Sequence, residues 1–183
     1  MFNKDRIYLT INHRGGLEDG FHCSILYALK DEPGKGSGKN TDHLFHVVNQ
    51  DRRTRTRIPW TYETRMANQY NSDSLIGRIL LAKVDTSNRD HVLGLLYQIL
   101  SQVAVRPNDP KFTCASWAME AVWRLQREGV ITLNAPVDAA LWDRVHLVAK
   151  DCYRLVLGGN GRRPTVDIAE HGASAIPTYD FRG

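Results

Sequence analysis

The chain has 183 residues, 42% hydrophobic and 24% charged, with a formal net charge of +4. That length suits one domain able to bury roughly 70% of its unfolded surface, and the composition is that of an ordinary globular protein. No run of about 18 apolar residues occurs, so no membrane span is expected, and a mild positive balance does not by itself call for nucleic acid.

The opening Met1-Phe2-Asn3-Lys4-Asp5-Arg6 lacks the apolar stretch of a secretion signal, which predicts a cytoplasmic protein. Three cysteines, Cys23, Cys114 and Cys152, are an odd number, and without a signal they read as reduced thiols.

Arg6 to Asn12 reads as a first strand, rich in β-branched and aromatic residues, broken at His13-Arg14-Gly15-Gly16. Phe21 to Lys30 is a second. Asp31 to Asp42 is polar, with three glycines and one proline. It reads as a mobile connector, because the spacing and following helix of a phosphate-binding loop are missing. His43 to Gln50 is a third strand. Ile58 to Thr64 is a fourth, which Pro59 pushes towards an edge or a strand start. Leu75 to Val84 is a fifth, with a buried look.

The second half is helical. Asp90 to Val103 follows Ser87, with Asp90 three residues on, a variant of the capping box. Thr113 to Glu128 is the clearest helix. Cys114, Trp117, Ala118, Ala121, Val122 and Leu125 share a face, and Gly129 supplies the stop. Asp138 to Leu157 is the third helix. Strands followed by helices predict an α+β fold, an antiparallel sheet packed on one face by three helices. Residues 1–158 form the domain, and 159–183 form an irregular C-terminal tail.

Cys114 is the chemically interesting thiol. With Thr113 as N-cap it heads its helix, where the dipole and unpaired N–H groups favour a negative sulfur and offer an oxyanion site. Nucleophilic catalysis also needs a base. Of seven histidines, His22 opens a strand and His46 lies inside the next one, so both can face one side of a sheet. The bland readings stand beside these. A cysteine on an apolar helix face is commonly core, and histidines commonly have structural roles.

The pieces Phe21-His22-Cys23-Ser24-Ile25-Leu26, Phe45-His46-Val47-Val48 and Thr113-Cys114-Ala115-Ser116-Trp117 resemble the circularly permuted papain-like enzymes of the NlpC/P60 superfamily. That superfamily includes the lecithin:retinol acyltransferase-like and PPPDE groups. The acyltransferase-like group has Asn-Cys-Glu-His-Phe where this chain has Thr-Cys-Ala-Ser-Trp. The resemblance, over roughly residues 5 to 130, implies Cys114 as nucleophile, His22 as general base and His46 as third member. It implies a hydrolase or acyltransferase acting on an ester, amide or thioester of a small molecule, lipid or peptide, with no cofactor.

Two other constellations compete. His22-Cys23 and His43-x-x-His46 offer zinc-ligand chemistry, but neighbours on a strand point to opposite faces and no Cys-x-x-Cys exists, so no metal is expected. The run Asp51 to Arg57 carries four arginines with Trp60 and Tyr62 just beyond, which could track phosphates and stack bases. Its usual meaning is a solvated turn. Alternatively Arg52 and Arg55 select an acidic substrate beside the His46 strand, with Trp117 lining the site one turn after Cys114. The reading from a different class is a non-catalytic module that binds a protein or nucleic acid through residues 52–57.

Overall fold

The computed structural model describes residues 4–14, 20–30, 38–157 and 176–182. Five strands come first: β1 (Lys4–His13), β2 (Phe21–Ala28), β3 (Asp42–Gln50), β4 (Arg57–Ala67) and β5 (Leu75–Asp85). Helices α1 (Arg89–Ser101), α2 (Cys114–Arg127) and α3 (Ala139–Leu157) follow, and a short β6 (Thr178–Asp180) closes the order. The fold is α+β. The sheet runs β4-β3-β2-β1-β5-β6, antiparallel throughout except that β6 lies parallel to β5. β4 is an edge strand, which is where its Pro59 is tolerated.

β6 corrects the expectation of an irregular tail. The three-residue segment has no periodic signal of its own. It is held by its ladder to β5 and by Arg78, a fully buried side chain whose Nε donates to Thr178 Oγ1 at 2.8 Å. The rest of the expected tail up to residue 175, and the glycine-rich connector at 31–37, lie outside the described residues.

Alternation along the strands decides the two faces of the sheet. Ile7, Leu9 and Ile11 on β1, Cys23, Ile25 and Tyr27 on β2, and Phe45 and Val47 on β3 pack with the helices in one large core. The even-numbered residues of β1, β2 and β3 point the other way. There Tyr8, Leu26, Ala28 and Leu44 make a small apolar cluster, and Thr10, Ser24, His22 and His46 make the rest of the surface polar.

The helix ends follow local chemistry. Thr113 caps α2 in a reciprocal box: its hydroxyl accepts from the Ser116 N–H at 3.2 Å, and Ser116 Oγ accepts from the Thr113 N–H at 2.9 Å. Gly129 at φ 72° ends the helix, a conformation favoured by glycine. The cap expected at Ser87 does not form. Ser87 lies in a 3₁₀ turn where its N–H and hydroxyl both bond to Asp85 Oδ1, and Asn88 precedes α1 without a side-chain cap.

α3 lies so close to β5 that a Cβ added at Gly77 would sit 2.3 Å from Cys152 Sγ. Gly77→Ala should therefore destabilise the protein by about 1–3 kcal/mol, read by urea unfolding, through overpacking. Adding Cys152→Ala should recover part of that loss, because the clashing sulfur is removed.

Candidate active site

The site forms where β2 and β3 part. Their ladder comprises Ile25–Phe45, Leu26–Leu44 and Tyr27–His43, although β2 runs back to Phe21 and β3 on to Gln50. His22 and His46 stand just beyond the last pair, on the face away from the helices. α2 packs on the other side of these strands and brings Cys114 to the gap, where the thiol faces the Phe21 carbonyl at 3.6 Å.

Two strands at period two thus bring both histidines together. His22 Nε2 and His46 Nδ1 are 3.0 Å apart, with the rings edge-on at a 5.2 Å centroid separation. His46 Nε2 faces Glu63 Oε1 at 3.5 Å, because His46 and Glu63 are direct partners across β3 and β4. At that length the contact is an electrostatic orientation rather than a well-made hydrogen bond. On the far side, Arg14 Nη2 lies 3.4 Å from His22 Nδ1 and donates to Cys114 Sγ at 3.1 Å. One guanidinium nitrogen therefore stands between the Cys114 sulfur and the His22 imidazole, and the two are bridged rather than directly bonded.

Charge and burial set the protonation of this row. Burial, then the neighbouring His46, Arg14 and Arg65, pushes His22 down to about 3. Burial, then Arg65 and Arg52, pushes His46 down to about 4. Both rings are neutral at pH 7. A carboxylate only accepts, so the Glu63 contact favours the proton on His46 Nε2. His46 Nδ1 then accepts from His22 Nε2–H, and the His22 Nδ1 lone pair is left aimed at Arg14 and the sulfur side. Such a tautomer is assigned from the hydrogen-bond network.

The three thiols sit in different surroundings. Burial, with a smaller contribution from Cys114, raises Cys23, which points into the core. Burial, then Asp151, raises Cys152 to about 12. Cys114 is itself buried at 2% exposure, but beneath a guanidinium and at a capped helix start. The N–H groups of Cys114 and Ala115 are first-turn donors without intrahelical acceptors.

Of the residues expected to touch substrate, Arg52 and Arg55 line a basin of about 1250 Å³ on the open face of the sheet, next to His22 and His46. Trp117 does not. It is fully buried, with its ring 5.9 Å from that of Tyr62, because the apolar face of α2 is turned to the core all along its length. Arg14, Glu63 and Arg65 were not expected. Arg14 lies just past the end of β1, outside any periodic element, and Glu63 and Arg65 depend on the β3–β4 register, whose only sequence trace is a carboxylate and a base on alternating strands. Among the described residues no three His, Cys, Asp or Glu side chains converge to hold a metal ion, and no helix is long and apolar enough to cross a membrane.

A model described as a family of unknown function (DUF6914) matches residues 4–181, and the chain belongs to that family. No curated protein and no solved structure matches it.

Proposed function

For this member of that family we propose a thiol-dependent hydrolase or acyltransferase, built on Cys114, His22 and His46 in a permuted papain-like arrangement and acting in the cytoplasm. The observation that carries the reading is the continuous polar row Glu63–His46–His22–Arg14–Cys114, ending at a sulfur on a capped helix start. A purely structural histidine pair would not need a guanidinium linking its last ring nitrogen to a thiol.

In this reading the Cys114 thiol, now facing the Phe21 carbonyl, gives its proton to His22 Nδ1 once Arg14 yields the line between them. The sulfur attacks an ester, amide or thioester carbonyl, and the developing oxyanion meets the first N–H groups of α2. His22 returns the proton to the leaving oxygen, nitrogen or sulfur. Water or an amine, deprotonated by His22, resolves the acyl-enzyme and regenerates the thiol. His46 holds the His22 ring and its tautomer, and Glu63 orients His46.

Peptide-mapped alkylation with iodoacetamide at pH 7 tests the reading. Cys114 should react at least about tenfold faster than Cys23 and Cys152 under native conditions, since reactive thiols sit in electropositive surroundings. Equal, slow reaction at all three would refute it and leave the second reading, a non-catalytic module that binds an anionic partner through the arginine turn. That reading is favoured by Arg52 and Arg55 lining the basin.

A further inference from the structure

The basin beside the histidines is lined by five arginines, Arg14, Arg52, Arg55, Arg57 and Arg65, and by no carboxylate among the described residues. Glu63, which does not line it, stands against Arg65 at 3.4 Å and Arg52 at 3.8 Å. Such a concave, single-sign surface concentrates anions.

The turn that presents the arginines is built rather than loose. Asp51 Oδ1 accepts from the Arg53 and Thr54 N–H groups at 2.9 and 2.7 Å, and the Arg55 N–H donates to the Asp51 carbonyl at 2.9 Å. Arg55 holds φ 61°, a left-handed conformation that favours glycine. Backbone strain kept at an arginine on the rim of a basin points to a use for that side chain.

Arg14 links this basin to the sulfur. It lines the basin, bridges Cys114 and His22, and has no carboxylate partner among the described residues. While it donates to His22 Nδ1, that lone pair is not available to the thiol proton.

Resting on the Cys–His reading, we propose that the acyl substrate carries an oxyanion, a carboxylate or a phosphate, which the arginine basin receives and which draws Arg14 away from Cys114. A planar guanidinium pairs with either group through two parallel hydrogen bonds, a better match than a neutral sulfur and ring nitrogen. Neutral acyl compounds lack this pull on Arg14 and should react more slowly than anionic ones.

The test compares alkylation of Cys114 in the full chain by iodoacetate, which is anionic, and iodoacetamide, which is neutral, with glutathione as the reference thiol. Relative to glutathione, Cys114 should favour iodoacetate by about tenfold or more at low salt. The preference should fade near 1 M salt, where screening shortens to about 3 Å. Arg52→Gln/Arg55→Gln should cut the preference severalfold. Calorimetric titration of Cys114→Ala protein with inorganic phosphate and with glutarate reads the basin without any chemistry. Heat from one alone assigns the oxyanion, and heat from both leaves the shared chemistry as the specificity. No binding of either, with no iodoacetate preference, overturns the proposal. A slow Cys114 in a chain that still binds anions overturns the enzyme reading instead.

Discussion

His22→Ala should slow release of p-nitrophenolate from p-nitrophenyl acetate by about 10²–10⁴-fold, the usual contribution of a positioned acid–base group. Cys114→Ala should abolish it above the buffer rate. The size of the His22 effect follows from the row of contacts. The lone pair on Nδ1 is available only if Nε2 carries the proton, and His46 Nδ1 at 3.0 Å fixes that choice. His46→Ala should therefore cost less than His22→Ala but more than Glu63→Gln. Loss of the 3.0 Å contact frees the ring to change tautomer and orientation, whereas Glu63 acts on it one ring away at 3.5 Å. Stopped-flow release of p-nitrophenolate by the four variants gives the ranking, and a His46 effect larger than the His22 effect would reverse the assigned roles.

Acidification should weaken the fold well before its carboxylates titrate. His22 and His46 bind protons at about pH 3 and 4 when folded, and near 6.5 when unfolded. Between those values the unfolded chain holds more protons, so unfolding free energy falls as pH falls from about 6.5. Each histidine contributes a loss of about 2 kcal/mol between pH 7 and pH 5, about 4 kcal/mol together. Asp5 acts in a lower window. Burial pushes its carboxyl up, but hydrogen bonds from Arg89, the Lys30 N–H and Tyr27 outweigh this and hold it below its ordinary value. Its stabilisation is thus lost only below about pH 4. Urea unfolding at pH 7 and pH 5 measures the histidine contribution. His22→Gln and His46→Gln should each halve the loss, and variants that lose as much as the parent would show that these rings are not held neutral.

Local chemistry made much of this legible. The head of α2 follows from Thr113, Ser116 and the apolar face behind them, so Cys114 was placeable at a helix start from sequence alone. Period-two alternation put His22 and His46 on one face, and neighbouring strands did the rest. Arg14 was not legible, because its contact with Cys114 spans 100 residues of chain and no local pattern announces it. Glu63 was hidden by register. The β3–β4 ladder is irregular between its Val48–Thr61 and Gln50–Arg57 pairs, and a slip of one residue there would have turned Glu63 to the opposite face. β6 was missed because three residues carry no period and are fixed by β5 and Arg78. Trp117, one turn after Cys114, was expected to line the site, but one turn along α2 lies deeper in the core, not nearer the basin.

The proposed chemistry passes through a covalent acyl-enzyme at Cys114. Acid quenching of the native chain during reaction with p-nitrophenyl acetate, followed by intact-mass and peptide mapping, looks for it directly. The expected result is one acetyl group per chain on Cys114, labile to hydroxylamine and absent from the Cys114→Ala variant. A chain that turns over the ester with Cys114 unmodified, or that carries acetyl groups scattered over its lysines alone, would contradict it.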